Sequence, residues 1–145
     1  MSHLSIKVAE LPADFPAIQA IRQTVFQVEQ GVDAALDFDG QDESADHLVA
    51  YLGHQPVGTT RIRYLDAQTA KIERLAILPA FRRQGIGKKI MQQAIALLST
   101  KDIQWVTIHA QEYVKELYQT LGFETVGERF EEAGIPHIKM QKKLI

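Results

Sequence analysis

The sequence predicts a mixed α/β fold, and three observations carry the prediction. Residues 47–78 hold three runs with strand-like alternation separated by short turns, the pattern of an antiparallel sheet. After Pro79 the period changes: Ile86, Ile90, Ala94 and Leu98 recur every four residues, which marks a helix. A further strand and a second helical stripe follow, so helices come after strands at the centre of the sheet. At 145 residues the chain has the length of one domain, and no repeat or low-complexity linker divides it, so residues 1–145 read as a single unit. Its 46% hydrophobic and 23% charged residues belong to a globular protein, not a disordered or fibrous one.

Each element follows from local pattern. Leu4 to Val8 alternates and reads as a short strand. Asp14 can cap a helix with the stripe Ile18, Ile21, Val25 and Val28, and Gly31 is its natural stop. The acidic stretch through Ser44 lacks periodicity and reads as a loop. His47 to Leu52 is a strand, Gly53-His54-Gln55-Pro56 a turn, and Val57 to Leu65 the next strand, with Ile62 and Tyr64 opposite Arg61 and Arg63. Asp66 to Thr69 turns the chain into the strand Lys71 to Leu78, which Pro79 closes. A helix runs from about Gly85 to Ser99, and Ile103 to Ala110 is a strand. Val114, Leu117, Tyr118 and Leu121 stripe a last helix that Gly122 ends. Phe123 to Gly127 and Pro136 to Leu144 complete a strand pair, giving the order β-α-β-β-β-α-β-α-β-β.

Composition excludes several classes of function. Zero cysteines remove a disulfide framework, a thiolate zinc site and a cysteine nucleophile together. His3, His47, His54, His109 and His137 show no ligand spacing, so no metal is expected. His47 opens a strand and His137 lies in the last one, where either could line a pocket or fill a structural position. No serine sits in a nucleophile elbow, which disfavours hydrolase chemistry. The start Met1-Ser2-His3-Leu4-Ser5 lacks the regions of a signal peptide, and no apolar run approaches the roughly 18 residues of a membrane helix. A cytoplasmic protein with no membrane partner is the expectation.

Net charge is −2, from 16 basic and 18 acidic residues, which argues against nucleic-acid binding. The distribution is uneven. Between Gln23 and Thr60 there is no Lys or Arg, while Glu29, Asp33, Asp37, Asp39, Asp42, Glu43 and Asp46 are acidic. Between Lys71 and Lys89 the cations Lys71, Arg74, Arg82, Arg83, Lys88 and Lys89 face only Glu73. One region suits a cation and the other an anion, unless both are simply solvated faces.

The stretch Ile77-Leu78-Pro79-Ala80-Phe81-Arg82-Arg83-Gln84-Gly85-Ile86-Gly87-Lys88-Lys89 ends a strand, turns, and starts a helix. Free N–H groups and the positive end of the dipole make such a start an anion site, and glycines let phosphate oxygens approach the backbone. A Walker loop would need Gly where Arg82 stands and Ser or Thr where Lys89 stands. A dinucleotide fingerprint would need a third Gly at Ile90. An ordinary strand-to-helix turn with solvated cations is the other reading.

Arg82-x-x-Gly85-x-Gly87, directly after Glu73-Arg74-Leu75-Ala76-Ile77-Leu78-Pro79, resembles the acyl-CoA motif of the GNAT superfamily of N-acetyltransferases. Leu117-Tyr118-Gln119-Thr120-Leu121-Gly122-Phe123 resembles that family's late helix with its Tyr, and the element order matches over nearly all of residues 4–144. The resemblance implies a GNAT-like fold whose two central parallel strands splay apart to admit acetyl-CoA. It implies that the pantetheine arm pairs with Leu75, Ala76 and Ile77, and that the pyrophosphate rests on the turn Arg82, Arg83, Gln84, Gly85, Ile86, Gly87 and Lys88. It also implies direct attack on the thioester by the primary amine of a small-molecule or peptide acceptor, and leaves room for a homodimer.

Three chemical tasks then need residues. Glu73 is the candidate base, directly or through water, with a cross-strand partnership to Arg61 or Arg63 as the alternative. A backbone N–H at the splay can hold the oxyanion. Tyr118 matches the Tyr expected to protonate the leaving thiolate, with a core aromatic as the alternative; a phenol near pKa 10 suits a thiol near about 8.5. Gln111 stands where the family often has Asn to hold the cofactor, and can make the same bonds on a longer arm. Glu29 and Asp42 are the acids expected to attract a cationic acceptor. The competing function is a catalytically idle acyl-CoA-binding or sensor module on the same fold.

Overall fold

The computed structural model describes residues 3–145; Met1 and Ser2, where the export-signal reading begins, lie outside the described residues. The strands are β1 (Leu4–Val8), β2 (Asp46–Leu52), β3 (Gln55–Tyr64), β4 (Thr69–Ile77), β5 (Trp105–Gln111), β6 (Glu124–Thr125), β7 (Phe130–Glu132) and β8 (Ile135–Lys143). The helices are α1 (Phe15–Arg22), α2 (Ala34–Asp37), α3 (Ile86–Ser99) and α4 (Lys115–Thr120). One mixed sheet runs β1-β2-β3-β4-β5-β8-β6, with β7 also on β8. β1 to β4 pair antiparallel in sequence order, β1 and β2 joined through α1 and α2 and the next two pairs by short turns, and the α3 crossover makes β4 and β5 parallel.

The main core lies between the sheet and α3, where Ile86, Ile90, Met91, Ala94 and Leu98 pack on Leu48, Ile62, Ile72 and Val106. This is the predicted stripe. Gly58 lets the layers approach, since a Cβ there would come within 2.7 Å of Ile77 Cδ1 and 2.9 Å of Ile90 Cδ1. On the opposite face Ile21, Val25 and Phe26 cover Ala76.

The first helix departs from its predicted course. Asp14 does not cap it; its carboxylate instead accepts from the Glu10 N–H and pairs with Lys7. After α1 the chain continues as a π-helix over Gln23–Glu29, in which hydrogen bonds reach five residues back. The wider turn rotates the apolar face, so Phe26 is buried while Val28, expected in the stripe, is 78% exposed. Two elements were absent from the sequence pattern: α2 within the acidic stretch, capped by Asp33, and β7. No helix among the described residues is long and apolar enough to cross a membrane.

Candidate active site

The central strands part. β4 and β5 pair only through Thr69↔Trp105, Ala70↔Val106 and Lys71↔Thr107, so the facing edge of β4 has no partner strand from Ile72 onward. A bulge in β4 accompanies the parting: between the pairs Thr59↔Ala76 and Arg61↔Glu73, one extra β4 residue is accommodated. Arg74 sits in the bulge at φ 57°, a left-handed conformation uncommon outside glycine. The gap opens into a cleft of about 650 Å³ reached by Leu75 and Ile77 of β4 and by Ile108 and Gln111 of β5.

At one end of the cleft lies the start of α3. A single 3-10 turn, Pro79–Phe81, leads into a bend in which Arg83 and Gly85 are left-handed, at φ 63° and 76°. Among the described residues the N–H groups of Arg83, Gln84, Gly85, Ile86, Gly87 and Lys88 find no backbone acceptor, and Lys89 is the first to reach back, to the Gly85 carbonyl at 3.1 Å. Six consecutive free donors at the head of a 14-residue helix form an anion cradle. A Cβ on Gly87 would meet only Ile77 and Leu75 at 3.7 and 3.9 Å, so the fold itself does not demand glycine there. The side chains divide the labour: Ile86 is buried in the core and offers only its N–H, while Arg83, Gln84 and Lys88 are exposed. Arg82 is not a free cation. Its Nε donates to the Ile77 carbonyl at 3.0 Å and its terminal nitrogens bind both oxygens of Glu29, whose carboxyl they hold below its ordinary range.

Tyr118 projects from α4 into the same cleft, 8% exposed, with its ring edge against Phe123. Its ring is core and its hydroxyl has no protein partner among the described residues. Burial pushes the phenol up, and nearby Tyr113 adds to the shift. Gln111 is engaged: its Nε2 donates to Gln30 Oε1 at 3.0 Å, a contact between β5 and the end of the π-helical segment that no sequence signal announced.

Glu73 is engaged by arginines on both oxygens. Its Oε2 accepts from Arg61 and its Oε1 from Arg63 Nε at 2.6 Å, with Arg74 and Lys71 at 3.5 and 4.0 Å. Burial alone would raise its pKa, but the Arg61 and Arg63 guanidiniums outweigh that and hold it below the ordinary range. The cross-strand alternative thus holds for both arginines at once, and a doubly paired carboxylate is a poor proton acceptor.

The acidic stretch is drawn into ion pairs as well. Arg22 and Arg61, both fully buried, draw it inward: Asp37 and Asp42 pair with Arg22 at 3.0 and 2.6 Å, and Asp39 and Asp42 with Arg61 at 2.8 and 3.0 Å. Asp33 caps α2, Asp46 binds Tyr64 and Lys101, and Glu29 holds Arg82. Glu29 and Asp42 thus both serve as counter-ions to arginines of the fold.

Of the histidines, His47 lies in the interior, its Nε2 on the Asp42 carbonyl at 2.9 Å. His109 and His137 line the cleft together with Glu132. Sequence reasoning weighed His137 but gave no role to His109 or Glu132, because the three come from three strands with no fixed spacing. The usable signal was Ala133-Gly134, a two-residue turn at φ 53° and 76° that makes β7 and β8 a hairpin.

A family model for the acetyltransferase (GNAT) domain matches residues 14–144. The Bacillus subtilis protein YyaT is 36% identical over 144 residues, covering 97% of each chain. The crystal structure of Escherichia coli ElaA superimposes with a TM-score of 0.85 at 26% identity, over 98% of this chain and 99% of that one. An acyl-CoA N-acyltransferase from Pseudomonas aeruginosa gives a TM-score of 0.83 at 27% identity, again over 98% and 99% of the two chains. With the splayed strands and the cradle at α3 in view, the match places this chain in the GNAT acetyltransferase family, whose members move an acyl group from acyl-CoA to an amine.

Proposed function

We propose that the chain transfers an acetyl group from acetyl-CoA to the primary amine of a small molecule or peptide by direct attack on the thioester. The observation that carries this reading is the run of six free N–H groups beside the gap between β4 and β5. A ligand with phosphates and a long amide-bearing arm suits both features, its phosphates on the N–H groups and its arm along the unpaired edge at Leu75, Ala76 and Ile77. The name of the Pseudomonas aeruginosa relative supports the same class of donor. When bound, acetyl-CoA supplies a thioester carbon open to attack.

The chain's own residues perform the rest. Arg83, Gln84, Gly85, Ile86, Gly87 and Lys88 bind the pyrophosphate through their N–H groups, and Arg83 and Lys88 add charge. Arg82 contributes by tying the loop to Glu29, and Gln111 with Gln30 walls the far side. A backbone N–H at the β4 bulge holds the developing oxyanion. Tyr118, kept protonated by its burial, gives its proton to the departing sulfur. Glu73 fixes Arg61 and Arg63 at the splay.

Incubating the purified protein with acetyl-CoA and a panel of primary amines, with thiol detection, tests the reading. Amine-dependent thiol release is expected. Tight acetyl-CoA binding without release for any amine would instead establish the idle binding module.

A further inference from the structure

We propose, resting on the reading of the chain as an amine acetyltransferase, that His109 is the base that removes the proton from the acceptor ammonium, with Glu132 as its positioning residue. His109 Nδ1 lies 3.0 Å from Glu132 Oε1. That hydrogen bond holds the Glu132 carboxyl below its ordinary range against the opposing effect of burial. An ionised carboxylate only accepts, so Nδ1 carries the hydrogen and the lone pair of the neutral ring sits on Nε2. Nε2 has no partner among the described residues, and the side chain, 27% exposed, lines the cleft. A base held by a carboxylate with its second nitrogen open to the substrate is the arrangement that activates nucleophiles elsewhere.

His137 is committed differently. Its Nδ1 donates to the Ile135 carbonyl at 2.6 Å and its Nε2 faces Glu132 Oε2 at 3.7 Å, so both nitrogens are turned to the protein. The Phe130 ring meets His109 edge-on at 5.0 Å and stacks on His137 at 5.9 Å, which fixes both imidazoles. The position of His109 follows from register. β4 and β5 run parallel and pair at Lys71↔Thr107, so two residues further on Glu73 and His109 share one face on opposite sides of the gap. Glu73 has spent its oxygens on two arginines, whereas His109 has a nitrogen free.

The charged groups that face His109 are Glu132 of β7, Glu73 and Lys71 of β4, Arg63 of β3 and Lys139, its cross-strand neighbour on β8. His137 of β8, and Tyr113 and Tyr118 around α4, complete the surroundings. In the step, one ammonium proton passes to His109 Nε2 and frees the nitrogen lone pair. That pair forms the C–N bond to the thioester carbon as the C–S bond breaks. Tyr118 protonates the sulfur and is restored by the second nitrogen proton, and His109 returns its proton to water.

The test measures kcat/KM against pH with acetyl-CoA and glycine, spermidine, phenylethylamine and an alanine-initiated tripeptide as acceptors. Replacement His109→Gln keeps a hydrogen bond to Glu132 but cannot take a proton. It should lower kcat/KM at neutral pH about 10²-fold and abolish the acid-side inflection of the wild-type profile, with calorimetric acetyl-CoA affinity unchanged. Glu132→Gln, at a half-exposed position, should lower the rate less and move the inflection to lower pH, which a packing role would not do. Wild-type rates with an intact inflection in His109→Gln, or an unmoved inflection in Glu132→Gln, overturn this assignment alone. A wild-type protein that binds acetyl-CoA but releases thiol with none of the four amines overturns the acetyltransferase reading and this assignment together.

Discussion

Tyr118 packs in the core and lines the cleft, and the proposed function gives it a chemical role as well. The sequence set a core aromatic against a proton donor, and the ring proves buried while its hydroxyl opens on the cleft. Tyr118→Phe separates the two: turnover should fall about 10²-fold while the melting temperature and acetyl-CoA affinity hold. Equal turnover in the two proteins at a chemistry-limited rate would reduce Tyr118 to packing. Asp42 illustrates the opposite outcome, an expected surface acid that sits between Arg22 and Arg61. Asp42→Ala should cost roughly 2 kcal/mol in urea unfolding, because two buried guanidiniums each lose a partner. An unchanged unfolding midpoint would contradict that placement. Charge runs were legible in the sequence, but their partners were not, since Arg22 and Arg61 flank the acidic stretch without belonging to it.

At the scale of elements, α3 and its loop were legible because glycine position, charge and apolar period agree there. The π-helical segment was not, since Ile18, Ile21 and Val25 fit an ordinary helix and only Val28 betrays the change of pitch. The β7–β8 hairpin was missed because β7 is three residues long. These gaps matter for function: Gln30, Glu132 and the hairpin turn all come from the unread elements, while the cradle came from a read one. The cradle invites a direct test. Gly87→Trp should fill the space beside the free N–H groups and abolish acetyl-CoA binding in calorimetry, whereas Lys101→Ala, at the far end of α3, should not alter it. Unchanged affinity for the Gly87 variant would move the phosphate site elsewhere.

Across the whole molecule, buried ion pairs tie α1, the acidic stretch, β3 and β4 together, and their protonation sets the acid limit of stability. Asp39, Asp42 and Glu73 all have carboxyls below their ordinary range. Their contribution is intact above the unfolded values near 4 and is lost as the pH falls further. His47 acts earlier. Burial lowers its pKa, and its Nδ1 is buried without a partner among the described residues, so the unfolded chain takes up a proton first, below about pH 6.5. The melting temperature should decline gently from about pH 6.5 and steeply below about 4, and His47→Gln should remove only the first phase. A level melting temperature down to pH 5 in the wild type would refute the first phase. The order of the sheet was readable at this scale because strand and helix periods alternate cleanly, whereas the charge network spans residues 22 to 74 and leaves no periodic trace. The three-pair seam between β4 and β5 has a mechanical meaning. The sheet divides there into two plates, β1–β4 and β5–β8, joined by three residue pairs, with α3 packed on the first. A force prying the plates apart changes the aperture of the cleft before it unravels either plate, so catalytic efficiency should register mechanical load or pressure sooner than any measure of unfolding.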